Sequence, residues 1–374
     1  MKTYRVAIVG LGRMGSTLDQ SIASASRASQ RLEVVAGAET IPERRAAFQE
    51  KWGIEAVYED YQEMIEKEKP DLVGVCTTAT GLPKPGNRAP SPNFRDDSHA
   101  DIAVHAANAG VPMLFVEKAI SCSVRKADAV LEACRKHGTV LNTGVLRRFS
   151  RRYKMIRELI ERGDIGEPQA AVVYGAASLM HVHIHWMDTI SYLLGDPQIS
   201  AVRGDLLPRD LKIVGNGLEV DPQATFQIAF ANGIEAWSVP VGGREYEVVG
   251  TEGTVRSMRD GAAVTFRKTN TTEGWPLQWE GELFPEESPV NTVVSCLNDL
   301  VDSYESGRRP SLGNIEVTHH ITEACITVAE SHRQEGKWIQ LPMANRDLYV
   351  FHVYLRKYGN DSCSASFSFI SKVE

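Results

Sequence analysis

The spacing of hydrophobic positions divides the chain into two parts with different patterns. In the first part, short apolar runs alternate with amphipathic or Ala-rich stretches of helical length. This alternation is typical of a parallel sheet covered by helices. The predicted strands are Val6–Gly10, Leu32–Glu39, Asp71–Cys76, Pro112–Val116 and Val140–Leu146, and the predicted helices are Pro42–Trp52, Asp60–Lys69, His99–Ala109 and Arg125–His137. Residues 16–30 are predicted to begin as a helix and end as a loop.

The second part is dominated by strand patterns. Asn232-Gly233 is a strong hairpin signal between two of these strands, so antiparallel pairing is expected. The predicted strands are Ala170–Tyr174, Ile199–Leu206, Ala224–Phe230, Ile234–Val239 and Glu245–Val249, and the predicted helices are Met155–Arg162, Met180–Pro197, Leu297–Tyr304 and Val317–Ser331. The fold class is therefore α/β: a doubly wound parallel sheet followed by an α+β domain with an open, mainly antiparallel sheet. The predicted domains are 1–146 and 147–345, and residues 346–374 form a tail that could be an edge strand or an oligomer contact.

A glycine-rich turn follows the first strand. Gly10, Gly12 and Gly15 have the spacing that binds the pyrophosphate of a dinucleotide between a strand and the following helix. Arg13 and Met14 lie between these glycines and complete the predicted turn. The motif indicates a Rossmann domain.

An acidic residue ends the second predicted strand. A carboxylate at this position accepts hydrogen bonds from the adenosine ribose hydroxyls and repels a 2′-phosphate, so Glu39 favours NAD. Arg44 and Arg45 follow within the next helix, which leaves NADP as the alternative if either turns toward a phosphate. A solvated helix face is the other interpretation of the two arginines.

Composition excludes several kinds of partner. The net charge of −7 offers no basic surface for nucleic acid. No apolar run approaches the ~20 residues of a membrane span, and the first residues lead directly into a strand, so a cytoplasmic protein is expected. The six cysteines form no C-x-x-C pair and are predicted to be reduced.

Two further stretches of the first part depart from simple alternation. Residues 81–97 contain four prolines, which predicts a loop: either a surface insertion or a flap near the carboxyl edge of the sheet. The strand Pro112–Val116 ends in Glu117-Lys118, two opposite charges at the edge where open α/β sheets bind ligands.

The predicted helix from Met180 to Pro197 carries three polar residues of chemical interest. His181, His185 and Asp188 fall on one helical face. Two histidines at this spacing can bind a metal, but no further ligand follows at a suitable spacing, and hydride transfer needs no metal. The sequence therefore predicts no metal site and assigns these residues to proton transfer or substrate binding.

Taken together, these motifs resemble the Gfo/Idh/MocA family of oxidoreductases over about Tyr4 to Pro342. The motifs that carry the resemblance are Gly10-Leu-Gly12-Arg-Met-Gly15, Glu39, Pro70-Asp71 through Thr77 with His99 after it, Glu117-Lys118, Arg147-Arg148-Phe149, His185-Trp-Met-Asp188 with Gly195, and Val248-Val-Gly250-Thr-Glu-Gly253.

The resemblance implies hydride transfer between nicotinamide and a sugar, cyclitol or glycoside carbinol. It implies that Thr77, His99, Glu117 and Lys118 line the cofactor site, and that Lys118 and His185 match the family's reactive lysine and histidine. It also implies that the second domain binds substrate and forms a homo-oligomer, a dimer or tetramer, through its sheet.

Three positions depart from the family pattern. Ala119 replaces the proline after Glu-Lys, His181 replaces an aspartate four residues before the helix histidine, and the insertion 81–97 is longer than usual. The last two bear on the substrate more than on the reaction.

The sequence leads to a mechanistic hypothesis. Oxidation of a carbinol requires a base for the hydroxyl proton. His185 is expected to take it, with Lys118 polarising the oxygen or exchanging roles, His181 relaying, and Arg148 and Asp188 holding substrate hydroxyls or the helix itself. The alternatives are cleavage of a glycoside through transient NAD redox, and a dinucleotide-sensing regulator without turnover.

Overall fold

The computed structural model describes residues 2–77, 98–218, 220–269, 276–281, 288–307 and 310–351. The predicted flap at 81–97 and tail residues 352–374 lie outside the described residues.

The first sheet has six parallel strands. Their order is β3-β2-β1-β4-β5-β6, the doubly wound arrangement of a dinucleotide-binding fold. The strands are β1 (Tyr4–Val9), β2 (Leu32–Ala38), β3 (Val57–Tyr58), β4 (Leu72–Val75), β5 (Met113–Val116) and β6 (Val140–Thr143). Nearly all residues of β1, β4 and β5 are buried, as expected of a sheet covered on both faces.

Helices cover both faces of this sheet. They are α1 (Ile22–Ala28), α2 (Pro42–Trp52), α3 (Tyr61–Glu68), α4 (Ser98–Asn108) and α5 (Val124–His137). The prediction for residues 16–30 was wrong in detail. A short π-helical turn, Arg13–Thr17, follows the glycines, and α1 begins afresh after Ser21, whose hydroxyl accepts a hydrogen bond from the Ser24 amide.

The second sheet has nine strands in the order β15-β14-β13-β12-β7-β11-β10-β8-β16. Most pairs are antiparallel, as predicted, and β10 and β11 form the hairpin around Asn232-Gly233. The pair β7–β11 is parallel. The strands are β7 (Pro168–Tyr174), β8 (Ile199–Leu207), β10 (Gln223–Phe230), β11 (Glu235–Val239), β12 (Glu245–Gly250), β13 (Gly253–Met258), β14 (Ala263–Thr269), β15 (Pro276–Gly281) and β16 (Ile339–Gln340).

One face of the second sheet packs against helices. A 3₁₀ turn (Leu146–Phe149) leads into α6 (Arg151–Glu161), and a π-helical turn (Leu179–His183) leads directly into α7 (Ile184–Leu193). The later helices are α8 (Pro289–Ser306) and α9 (Ile315–Arg333). Side chains of α7 and α9 fill the core between helices and sheet.

Helix α8 returns to the first sheet. Its apolar face, which includes Cys296, Leu297 and Leu300, packs in the same core as Tyr4 and Ile22. Helix α8 thus packs on the first sheet although it lies in the second half of the sequence. The division of the chain at residue 146 stays a prediction.

The first residues of the predicted tail contact the rest of the protein. The strand β17 (Tyr349–Val350) pairs in parallel with β9 (Gly217–Leu218). Arg346 forms ion pairs with Asp128 on α5 and Glu323 on α9. An oligomer contact by the tail stays a prediction.

Two further observations concern the helices and the thiols. Within the described part of the chain, no helix is both long and apolar enough to cross a membrane. The five cysteines outside the tail, Cys76, Cys122, Cys134, Cys296 and Cys325, are buried free thiols.

Candidate active site

The glycine turn leaves its backbone open on one side. Gly10 has a φ of +88°, and a Cβ there would lie 2.7 Å from the Thr77 amide nitrogen; a Cβ on Gly15 would collide with the Gly10 carbonyl. At Gly12, by contrast, a Cβ would meet only the Arg44 guanidinium, at 3.8 Å. The turn is thus close-packed at its first and third glycines and open at the second, as a phosphate-binding backbone requires.

Glu39 lies directly beside this turn. Its Oε2 accepts hydrogen bonds from the Leu11 amide at 3.2 Å and from Arg44 at 3.4 Å, and its Oε1 accepts one from the Ile41 amide at 3.2 Å. Arg45 donates to the Glu39 carbonyl and lies 3.7 Å from Glu59. Both arginines are therefore paired with acceptors, which favours the ribose of NAD over the 2′-phosphate of NADP.

His99 is almost fully buried, with 1% of the residue exposed. Its role in cofactor binding stays a prediction. Its Nδ1 lies 2.8 Å from the Ala119 carbonyl oxygen and its Nε2 lies 2.7 Å from the Thr77 carbonyl oxygen. The ring of His99 therefore lies between the segments that follow β4 and β5, and Thr77, whose hydroxyl lies 3.1 Å from that of Ser98, remains at the edge.

Glu117 and Lys118 follow β5 at the carboxyl edge of the first sheet. Burial raises the pKa of Glu117 to about 7, against the opposing effect of Lys118. Its buried Oε1 atom has no hydrogen-bond partner among the described residues, and a Cβ on Gly144 would lie 3.0 Å from both carboxylate oxygens. Gly144 is therefore the small residue that makes room for this carboxylate.

Lys118 connects the two halves of the molecule. Its Nζ donates a hydrogen bond to the His181 carbonyl oxygen at 2.7 Å and lies 3.2 Å from His181 Nδ1. Lys118 is 8% exposed, and burial lowers its pKa to about 8, with Glu117 and Asp221 opposing that shift. The side chain can thus change its charge close to neutral pH.

His181 and His185 lie on the turn and helix that face Lys118. Burial and the positive charges of Lys118 and Arg13 lower the pKa of His181 to about 4. Burial, followed by Lys118 and Arg147, holds the pKa of His185 well below its usual value. Both imidazoles are therefore neutral at physiological pH, and His185 is a weaker base than its intrinsic pKa suggests.

Arg148 and Asp188 bind each other. Arg148 Nε donates to Asp188 Oδ1 at 2.7 Å, and its terminal nitrogens donate to Asp196 at 2.7 and 3.0 Å. Both Arg148 and Asp188 are at most 2% exposed. Of the two predicted roles, holding the helix is the one that this geometry supports; neither side chain is accessible to a sugar hydroxyl.

Several charged residues near the site make contacts that the sequence did not predict. Arg147 forms a bidentate ion pair with Asp260 at 2.7 and 2.9 Å. Arg244 lies 4.0 Å from the same carboxylate. Asp221 accepts hydrogen bonds from two backbone amides of the His181 turn. These contacts depend on strand pairing in the second sheet, which no local sequence motif predicts.

No group of three or more His, Cys, Asp and Glu side chains in the described residues is arranged to hold a metal ion.

Comparison with known proteins supports an oxidoreductase fold. Residues 4–145 match the model of the oxidoreductase family with an NAD-binding Rossmann fold. Myo-inositol 2-dehydrogenase of Thermotoga maritima is 25% identical over 206 residues, which cover 51% of this chain and 55% of that protein. The NAD⁺-dependent scyllo-inositol 2-dehydrogenase of Bacillus subtilis is 25% identical over 270 residues, covering 67% of this chain and 72% of the relative. The chain thus spans only about half of the first relative.

A solved structure shows that the similarity of fold extends through both sheets. The inositol dehydrogenase homologue of Azotobacter vinelandii, complexed with NADH and myo-inositol, superposes with a TM-score of 0.71. The alignment covers 91% of this chain and 98% of that one, at 16% sequence identity.

Proposed function

We propose that this chain is a member of the Gfo/Idh/MocA family of oxidoreductases and that it transfers a hydride between NAD and a secondary alcohol of a sugar, cyclitol or glycoside. One observation carries the proposal: an amine at the end of β5 lies 3.2 Å from an imidazole of the second half, beside an open dinucleotide turn. The names of the relatives supply the class of substrate.

The residues of the first domain fit a dinucleotide. The backbone of Gly10, Gly12 and Gly15 would hold the pyrophosphate, and Glu39 would accept hydrogen bonds from ribose hydroxyls. Thr77 and Glu117 lie at the ends of β4 and β5 on the same edge of the sheet. When bound, NAD supplies the acceptor for the hydride.

We assign Lys118 as the base that accepts the hydroxyl proton of the substrate. A base works best when its pKa lies near the working pH, and the pKa of Lys118 is about 8. The pKa of His185 is held far lower, so the expectation that this histidine takes the proton is replaced. In oxidation the neutral amine of Lys118 accepts the hydroxyl proton as the hydride leaves the same carbinol.

The neutral imidazoles have the complementary role. His181 offers Nδ1 and its carbonyl oxygen to the Lys118 amine, which fixes the direction of that amine. His185 is partly exposed and can hydrogen-bond the substrate without adding positive charge. Arg148 and Asp188 hold α7 in place.

Assembly and location complete the proposal. We infer a homo-oligomer, a dimer or tetramer, formed through the nine-stranded sheet, and its mass in solution by light scattering tests this inference. A cytoplasmic location stays a prediction from the sequence.

The test is a panel of cyclitols, aldoses and glycosides mixed with NAD⁺, with free NADH measured by absorbance. At least one secondary alcohol should give stoichiometric NADH and ketone. Cleaved glycoside without net NADH would favour the transient-redox alternative. Tight NAD binding with no turnover on any polyol would favour a regulator.

A further inference from the structure

The helical segment that carries His181 receives its N-terminal hydrogen bonds from a distant stretch. The first backbone N–H groups of a helix have no partner within it. Here Leu179 N–H donates to the Pro222 carbonyl at 2.8 Å. Met180 and His181 N–H donate to the two carboxylate oxygens of Asp221, at 2.7 and 2.9 Å. Asp221 therefore uses both oxygens to hold the backbone of this turn.

Strand pairing fixes Asp221 in that position. Ser178 and Gln223 form an antiparallel bridge, and Ala224 N–H donates to the Ala177 carbonyl at 3.3 Å. These contacts place the residue before Pro222 opposite the start of the turn. The register of this bridge thus places Asp221 on the side of the second sheet that faces the active site.

The same turn holds Lys118. The carbonyl oxygen of His181, whose N–H binds Asp221, accepts the hydrogen bond from Lys118 Nζ at 2.7 Å. Displacement of the turn would therefore displace the amine. Asp221 also acts on the charge of Lys118, since its carboxylate raises the pKa of that amine.

The charges around Lys118 act in opposite directions. Glu117 and Asp221 favour the ammonium, Arg147 disfavours it, and the neighbouring His181 and His185 are neutral at physiological pH. The pKa of Asp221 itself is raised to about 6, mainly by burial, so its carboxylate is ionised in the range where Lys118 titrates. The pKa of Glu117 is about 7, so its negative charge varies with pH near neutrality.

We propose that Asp221 is a positioning residue of the active site, which holds the His181 turn and stabilises the ammonium that Lys118 becomes when it accepts the substrate proton. The role in catalysis rests on the proposed function. The structural part, a carboxylate that fixes the turn and the charge of Lys118, is testable without substrate.

The test compares Asp221→Asn with the wild-type protein. Asparagine keeps the shape of the side chain but removes its charge and one of the two acceptor oxygens. The pH dependence of Lys118 acetylation by acetic anhydride, followed by peptide mass spectrometry, should shift down by at least about 0.5 pH unit. The rise of kcat/KM for oxidation with pH should shift by the same amount, and Asp221→Glu should restore part of it.

Hydrogen exchange supplies the second readout. In Asp221→Asn, the Met180 or His181 amide should exchange roughly tenfold faster or more, because one of them loses its acceptor. Asp128→Asn is the matched control: Asp128 also binds several groups, namely Arg346 and His319, but it lies on α5. This control should change neither readout.

The outcomes separate the two proposals. If Lys118 titrates at the wild-type pH in Asp221→Asn and both amides exchange at wild-type rates, the role of Asp221 is refuted. If acetylation and exchange change as expected while the wild-type protein oxidises no polyol, the positioning stands and the proposed function fails.

Discussion

Lys118 Nζ and His181 Nδ1 lie 3.2 Å apart, although the two residues are 63 positions apart in the sequence. One follows a strand of the parallel sheet, and the other precedes a helix that packs on the second sheet. An amine with a pKa near 8 and a neutral imidazole thus meet at the edge where the glycine turn lies.

The pH dependence of oxidation should report Lys118. The reactive form is the neutral amine, so kcat/KM for alcohol oxidation should rise with pH and level off above about 8. Reduction of the ketone needs the ammonium and should decline over the same range. The two site histidines should contribute no ionisation near the ordinary histidine value, because both have lowered pKa values. Steady-state rates in both directions measure this, and an oxidation rate that falls above pH 8 would contradict the assignment.

The buried ion pair of Arg148 should matter for stability. Arg148→Met leaves the Asp188 carboxylate without its buried partner, which should cost about 3–5 kcal/mol in the free energy of unfolding. The double variant Arg148→Met/Asp188→Leu should recover most of that loss. Denaturant unfolding measures both. Equal stability of the single variant and the wild type would show that the pair does not hold α7.

Glu39 should determine the choice of cofactor. Glu39→Ser removes the acceptor that pairs with Arg44, so the guanidinium becomes available to a 2′-phosphate. The NAD-to-NADP affinity ratio should fall at least about tenfold, equivalent to ~1.4 kcal/mol. Calorimetric titration with both dinucleotides measures the ratio. The control Glu59→Ser removes an exposed carboxylate near Arg45 and should leave the ratio unchanged.

His183 should make the fold sensitive to acid. Its ring is fully buried and stacks on Trp186 with the ring centroids 4.6 Å apart, and burial lowers its pKa to about 3. On unfolding, His183 binds a proton near pH 6.5, whereas in the folded protein it does not. Its contribution to the free energy of unfolding is therefore fully present above that pH and is lost as the pH falls toward 3.

The comparison with His183→Phe isolates this effect. Relative to that variant, the wild type should lose about 1.4 kcal/mol of stability per pH unit between about pH 6 and 4. Urea unfolding across this range measures the difference. A difference that stays constant with pH would show that His183 does not titrate on unfolding.

The sequence predicted those parts of the site that lie at the ends of strands. Gly10, Gly12 and Glu39 follow apolar runs directly, and Lys118 follows another, so a local pattern determines their place on the edge of the parallel sheet. The hairpin at Asn232-Gly233 was predictable for the same reason, since its turn chemistry is local.

What the sequence did not predict depends on contacts between distant segments. Asp221 reaches the His181 turn only through the register of Ser178 against Gln223, and α8 joins the first core across more than half of the chain. We reassign the proton from His185 to Lys118 because a sequence gives only the intrinsic pKa of a residue, whereas the burial of His185 beside Lys118 comes from the fold. Both ring nitrogens of His99, whose place in the sequence suggested cofactor binding, lie within hydrogen-bond distance of backbone carbonyl oxygens.

The most direct test of Lys118 as the base is Lys118→Ala, measured for turnover and for NAD affinity in the same preparation. NAD should bind this variant nearly as tightly as the wild type, because the glycine turn and Glu39 are intact, and oxidation should be slower by about 10²–10⁴-fold. Turnover at the wild-type rate would contradict this role of Lys118, because the proton would then have another acceptor.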